Sequence, residues 1–111
     1  MIRLGAAQVS DQALESIVRM AVESVAGARL DSPGRVSRVL PGRRGPVDWN
    51  VTGRVATFDV DIVAEHGRVL PEVGAQVRSA VGRHVAGMTG LEVRAVDVTV
   101  TGLDREREPR R

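Results

Sequence analysis

The sequence predicts an α+β domain, a two-layer β-α-β-β-α-β sandwich whose antiparallel-rich sheet carries two helices on one face. Three observations lead there. Two segments place apolar residues at helical spacing, and several others alternate apolar and polar residues with period two. The chain has 111 residues and no Cys. That length supports one hydrophobic core without disulfides, and the missing Cys excludes a thiol nucleophile and Cys-ligated zinc or iron–sulfur sites. The expected organisation is a single domain over residues 1–103, with a loop at 32–46 and a disordered charged tail at 104–111.

The first helix is read from Asp11 to Val25, with Ala13, Leu14, Ile17, Val18, Ala21, Val22 and Val25 on one face. Ser10 stands where an N-cap hydroxyl belongs, Gly27 follows as a stop, and Glu15 and Arg19 form an i,i+4 pair. The second helix opens at Pro71, a residue suited to the first helical position, and runs to about Met88 before Gly90. Its stripe of Val73, Val77, Ala80, Val81, Val85 and Met88 also contains His84. A histidine there reads as a hydrogen-bonded core or interface imidazole.

Strand patterning is clearest from Arg54 to Glu65. Ala56, Phe58, Val60, Ile62 and Ala64 share one face; Thr57, Asp59, Asp61 and Glu65 share the other, and Val63 breaks the pattern. Val47, Trp49 and Val51 alternate upstream, with a two-residue hairpin turn at Thr52-Gly53. A final strand covers Ala95 to Thr101, and a first one lies near Ile2 to Val9. The face bearing Asp59, Asp61, Glu65, Asp97, Thr99 and Thr101 is read as a solvated sheet surface.

Charge is unevenly distributed. All sixteen basic residues are Arg, against fourteen acids. The pI near 10.8 is a by-product of having no Lys, Tyr or Cys to titrate below the Arg range, above ~12. Residues 29–54 sum to +4 and residues 55–104 to −3. The basic excess sits in the loop from Ser32 to Pro46, which holds Arg35, Arg38, Arg43 and Arg44 and no acid. These four arginines are the candidate partner contact. Near an anionic bilayer each would contribute at most ~1 kcal/mol, giving salt-sensitive attraction rather than anchoring.

Gly42-Arg43-Arg44-Gly45 matches the G-x-x-G pattern of a nucleic-acid backbone clamp. That clamp joins two helices, whereas this tetrapeptide lies between Pro41 and Pro46 and leads into a strand. A nucleic-acid-binding module using this loop is the alternative reading. Base stacking on the open sheet face is disfavoured, because that face bears carboxylates rather than aromatics. No G-x-S-x-G, H-E-x-x-H, Walker or dinucleotide fingerprint occurs. The expectation is therefore a non-enzymatic protein with no catalytic residue, metal or cofactor. No apolar run approaches the ~20 residues of a spanning helix, and the N-terminus lacks signal-peptide character.

Several motifs carry a resemblance. Glu65-His66-Gly67 follows a valine-rich strand, and Leu70-Pro71-Glu72-Val73 opens a helix that ends at Met88-Thr89-Gly90-Leu91. A Val-x-Val-x-Val strand then runs from Val96 to Leu103, and Glu23-Ser24-Val25-Ala26-Gly27 forms the exit of the first helix. Across most of residues 4–103 the sequence resembles the alkaline shock protein family, bacterial envelope stress response proteins. The Arg- and Pro-rich loop and His84 depart from its commoner pattern. The resemblance implies a small, cytoplasmic, stress-associated scaffold that forms homo-oligomers. It also implies attachment at the inner face of the cell membrane through an integral membrane protein partner.

Overall fold

The strand with the strictest alternation becomes the centre of the sheet. A computed structural model describes residues 2–4, 7–32 and 45–104 of the chain. In chain order the elements are β1 (Ile2–Leu4), β2 (Ala7–Val9), α1 (Asp11–Glu23), β3 (Ala28–Leu30), β4 (Val47–Thr52), β5 (Val55–Glu65), α2 (Leu70–Thr89) and β6 (Glu92–Asp104). The fold is α+β with antiparallel pairing, as the sequence predicts.

The sheet is built outward from β5. One edge of β5 pairs antiparallel with β4 through Val55–Val60 and with β3 through Ile62–Ala64, so those two strands lie end to end. The other edge pairs with β6 in parallel, and α2 supplies the crossover that a parallel neighbour requires. Two register shifts interrupt the β5–β6 ladder, between Ala56 and Thr57 and between Ile62 and Val63; they leave Arg94 and Thr101 as extra residues on β6.

Both helices close one face of this sheet. Leu14, Val18 and Val22 of α1 and Val77, Val81 and Val85 of α2 are buried in one cluster with Ala56, Phe58, Val60, Ile62 and Ala64 of β5. Ser10 caps α1 as expected, its Oγ accepting from the Ala13 N–H at 3.1 Å. The α1 surface carries the Glu15–Arg19 ion pair at 3.2 Å. Pro71 sits in the first turn of α2, and Gly90 ends the helix in the left-handed conformation at φ 77°. The turn between β4 and β5 is Gly53-Arg54 rather than Thr52-Gly53, because Thr52 still pairs with Val55. Gly53, at φ 61°, takes the first central position, where a type II′ turn needs glycine.

Two elements differ from the expected order. The first nine residues contain a separate antiparallel pair, β1 with β2, rather than one strand of the main sheet. Ile2 nevertheless reaches the core cluster. Strand β3 is additional: Ala28-Arg29-Leu30 is too short to show period-two alternation and exists through its pairing with β5. The strand β6 is also longer than its apolar alternation, because backbone pairing continues from Glu92 through Asp104.

Two substitutions test this packing. Phe58→Ala is expected to cost about 3–5 kcal/mol, the range for truncating a buried aromatic. Gly90→Ala is expected to cost about 1–2 kcal/mol through its left-handed backbone. Urea unfolding of the two variants should show both losses, the first larger than the second.

Candidate functional site

Strands β4, β5 and β6 place Asp48, Asp59 and Asp97 side by side on the face turned away from the helices. Neighbouring strands are about 4.8 Å apart, so this is a transverse row of carboxylates in which like charges stand opposite one another. Asp59 and Asp97 are exposed and Asp48 is half-buried. Water is what makes the row tolerable. Among the described residues no group of three or more His, Cys, Asp or Glu side chains is arranged to hold a metal ion.

The next rung toward β3 does not follow the expected solvated face. Asp61 is only 2% exposed, and so is Asp31 just after β3. The cause is the end-to-end junction of β3 and β4. The Asp61 N–H donates to the Pro46 carbonyl at 2.8 Å, and the Asp61 carbonyl accepts from the Asp31 N–H at 3.0 Å. The side chain is thereby enclosed where the two strands meet. The extra residue on β6 completes this polar centre, since the Thr101 hydroxyl lies 2.7 Å from Asp31 Oδ2 and 3.2 Å from the Ile62 carbonyl. Asp31 Oδ1 accepts from the Ser32 N–H at 2.8 Å. Val63, out of pattern in the sequence, is buried yet lies outside the main apolar cluster, in register with Gly102.

At the rim, Arg29 grips Asp104 with two parallel bonds, Nε to Oδ2 at 2.7 Å and Nη2 to Oδ1 at 2.8 Å. The hydrogen bonds that the guanidinium donates to Asp104 raise the Arg29 pKa, partly opposed by desolvation. Arg29 is charged at any physiological pH with or without that shift. Both side chains are nearly half exposed, which limits the pair to about 0–1 kcal/mol.

The expected partner contacts Arg35, Arg38, Arg43 and Arg44 lie outside the described residues. Their described flanks meet acidic ground: Asp31 precedes the segment, and Gly45 and Pro46 close it beside a groove of about 370 Å³ lined by Asp11, Glu15 and Trp49. Trp49 packs against Phe58 with ring centroids 6.5 Å apart. His84 is half-buried, and its Nδ1 lies 2.9 Å from the Ala80 carbonyl one turn back, so it is hydrogen-bonded as its place in the stripe suggested. His66 is exposed in the turn after β5. The Asp31–Thr101 and Arg29–Asp104 contacts have no local sequence signal, because each joins residues at least 70 positions apart.

Comparison with known proteins decides the family. The model of the alkaline shock protein 23 family, described as having a cell envelope-related function, matches residues 2–105. The chain belongs to this family. The alkaline shock fold is also similar to solved structures of the MamM CTD. One single-substitution variant aligns with a TM-score of 0.52 at 16% identity, covering 84% of this chain and 99% of that one. A double-substitution variant aligns at 0.50 and 18% identity, covering 87% and 96%. At these identities the likeness establishes the shared fold and nothing finer. No curated protein sequence matches the chain.

Thr101→Val tests the polar centre. It leaves the buried Asp31 carboxylate short of a donor and is expected to cost about 1–3 kcal/mol. The exposed Thr99→Val is the control and should stay within about 0.5 kcal/mol. Equal effects in chemical denaturation would show that the Thr101 hydroxyl contributes nothing.

Proposed function

We propose that this alkaline shock family protein is a non-enzymatic, self-associating scaffold of the cell envelope, bound to a membrane-protein partner at the cytoplasmic face of the membrane. The observation that carries the reading is the family match with cell envelope-related function across nearly the whole described chain. Side-chain chemistry is consistent with it. Asp31, Thr101, Arg29 and Asp104 hold strands together, His84 is engaged with its own helix, and the remaining carboxylate row faces water. No helix of the described residues is long and apolar enough to cross a membrane; in this reading the partner supplies the attachment. Arg35, Arg38, Arg43 and Arg44 are the side chains through which an anionic partner surface would be met.

Fractionation tests the proposal. The tagged chain is expected to sediment with membranes and to bring down an integral membrane protein, and the purified chain to sediment as more than a monomer. Diffuse cytosolic protein together with a strictly monomeric profile would overturn the reading.

A further inference from the structure

The hydrogen-bond directions along β5 show which backbone groups of β6 are left over. The N–H and C=O of Asp61 both face β3 and β4, and the Glu65 N–H faces Gly27 beside β3. By alternation, Phe58, Val60 and Ile62 direct their groups at β6. In a parallel ladder only one residue of each facing pair bonds across, so Val96, Val98 and Val100, opposite those three, point their N–H and C=O outward. Two bonds at the ends of the ladder agree with this phase: the Glu92 N–H reaches the Arg54 carbonyl, and the Asp104 carbonyl accepts from His66. The outward Val96 carbonyl accepts Nε of Arg78 from α2 at 3.3 Å. Among the described residues, β6 pairs with β5 and with no second strand.

A free strand edge is a template for another strand, and the residues of this one specify a second copy of itself. The bulge-free stretch runs from Ala95 to Val100, between the extra residues Arg94 and Thr101. Its sole charge is Asp97. A closed two-fold pairing must be antiparallel and centred on one residue. Centring on Asp97 sets carboxylate against carboxylate. Centring on Thr99 drives Asp97 against the bulge at Thr101. Centring on Val98 keeps the paired stretch bulge-free: Val96 meets Val100, and the Asp97 carboxylate faces the Thr99 hydroxyl, a donor for it, on both sides of the axis. Val96, Val98 and Val100, with their outward backbone groups, then form the hydrogen-bonded pairs.

The helix above the edge adds an independent sign. Arg78 marks the side of α2 that leans over β6, and Gly74 and Gly82 lie one turn before and after it on that side. Neither glycine has positive φ, and a Cβ at either would meet nothing within 4 Å. Gly87, on the opposite side of α2, shares these properties, so it is the position of Gly74 and Gly82 beside Arg78 that matters. Each of the two therefore costs helix stability without serving any contact among the described residues. Both leave room for something approaching from outside.

We propose that two copies of this chain join edge to edge through β6, in an antiparallel pairing centred on Val98, with the Gly74–Gly82 side of α2 accommodating the partner's approach. On pairing, Arg78 releases the Val96 carbonyl to the new ladder. The inference rests on the self-association reading and supplies its surface.

The chain's lack of Cys makes the test direct. Asp97 and Thr99 would face each other as a non-hydrogen-bonded pair, at a spacing of about 4.5 Å that a disulfide can bridge. D97C and T99C chains are mixed and oxidised, beside each variant alone. The mixture should give a crosslinked heterodimer, and the single variants should lose that product. Gly82→Ala separates fold from interface: its Tm should rise by roughly 2–8 °C, while its dimer dissociation constant should increase about tenfold. An oligomeric wild type with no crosslink, or with equal crosslinking in all three samples, overturns the β6 pairing and leaves the scaffold reading standing. A Gly82→Ala chain that is more stable yet self-associates unchanged overturns the placement of the helix. A strictly monomeric wild type overturns the β6 pairing and the self-association it rests on, while co-sedimentation with membranes tests the partner-binding part of the scaffold reading separately.

Discussion

The double-sided pairing of β5 is the constraint on which the rest of the structure depends. Every other strand of the main sheet bonds to it, β3 and β4 on one edge and β6 on the other, and both helices pack on its apolar face. A strand paired on both edges and buried on one face cannot slip. A one-residue shift would carry Phe58, Val60 and Ile62 to the water side and bring Asp59 and Asp61 into the core. The period-two pattern of this segment therefore fixes the register of three other strands at once.

Sharing one edge of β5 between β3 and β4 has a polar consequence. Where the two strands meet, the ladder passes from one partner to the next, and side chains on the open face become enclosed. Asp31, Asp61 and Thr101 occupy that junction. Buried polar groups are tolerated only with partners, and the extra residue in β6 brings the Thr101 hydroxyl to Asp31. The bulge that interrupts one ladder thus satisfies an acceptor created by the junction of two others.

The same architecture divides the molecule by function. One face of the sheet is closed by helices; the other presents carboxylates to water, and the basic segment between β3 and β4 begins and ends beside acidic residues. Family membership points to the cell envelope, and among the described residues the β6 edge, a β-rich and nearly uncharged stretch, pairs with no second strand.

Much of this was legible in the sequence because it is encoded locally. The periodicity of α1 and α2, the Ser10 cap, the Pro71 start, the Gly90 stop and the alternation of β5 follow from residues within a few positions of one another, and so did the family resemblance. The tertiary structure decided whatever depends on residues far apart in the chain. It made Ala28–Leu30 a strand, split the first nine residues into a pair, buried Asp61 while leaving Asp59 in water, and joined Asp31 to Thr101. The reason is physical: an isolated carboxylate on an alternating strand reads as solvent-facing, and only the position of strand ends around it determines whether water remains.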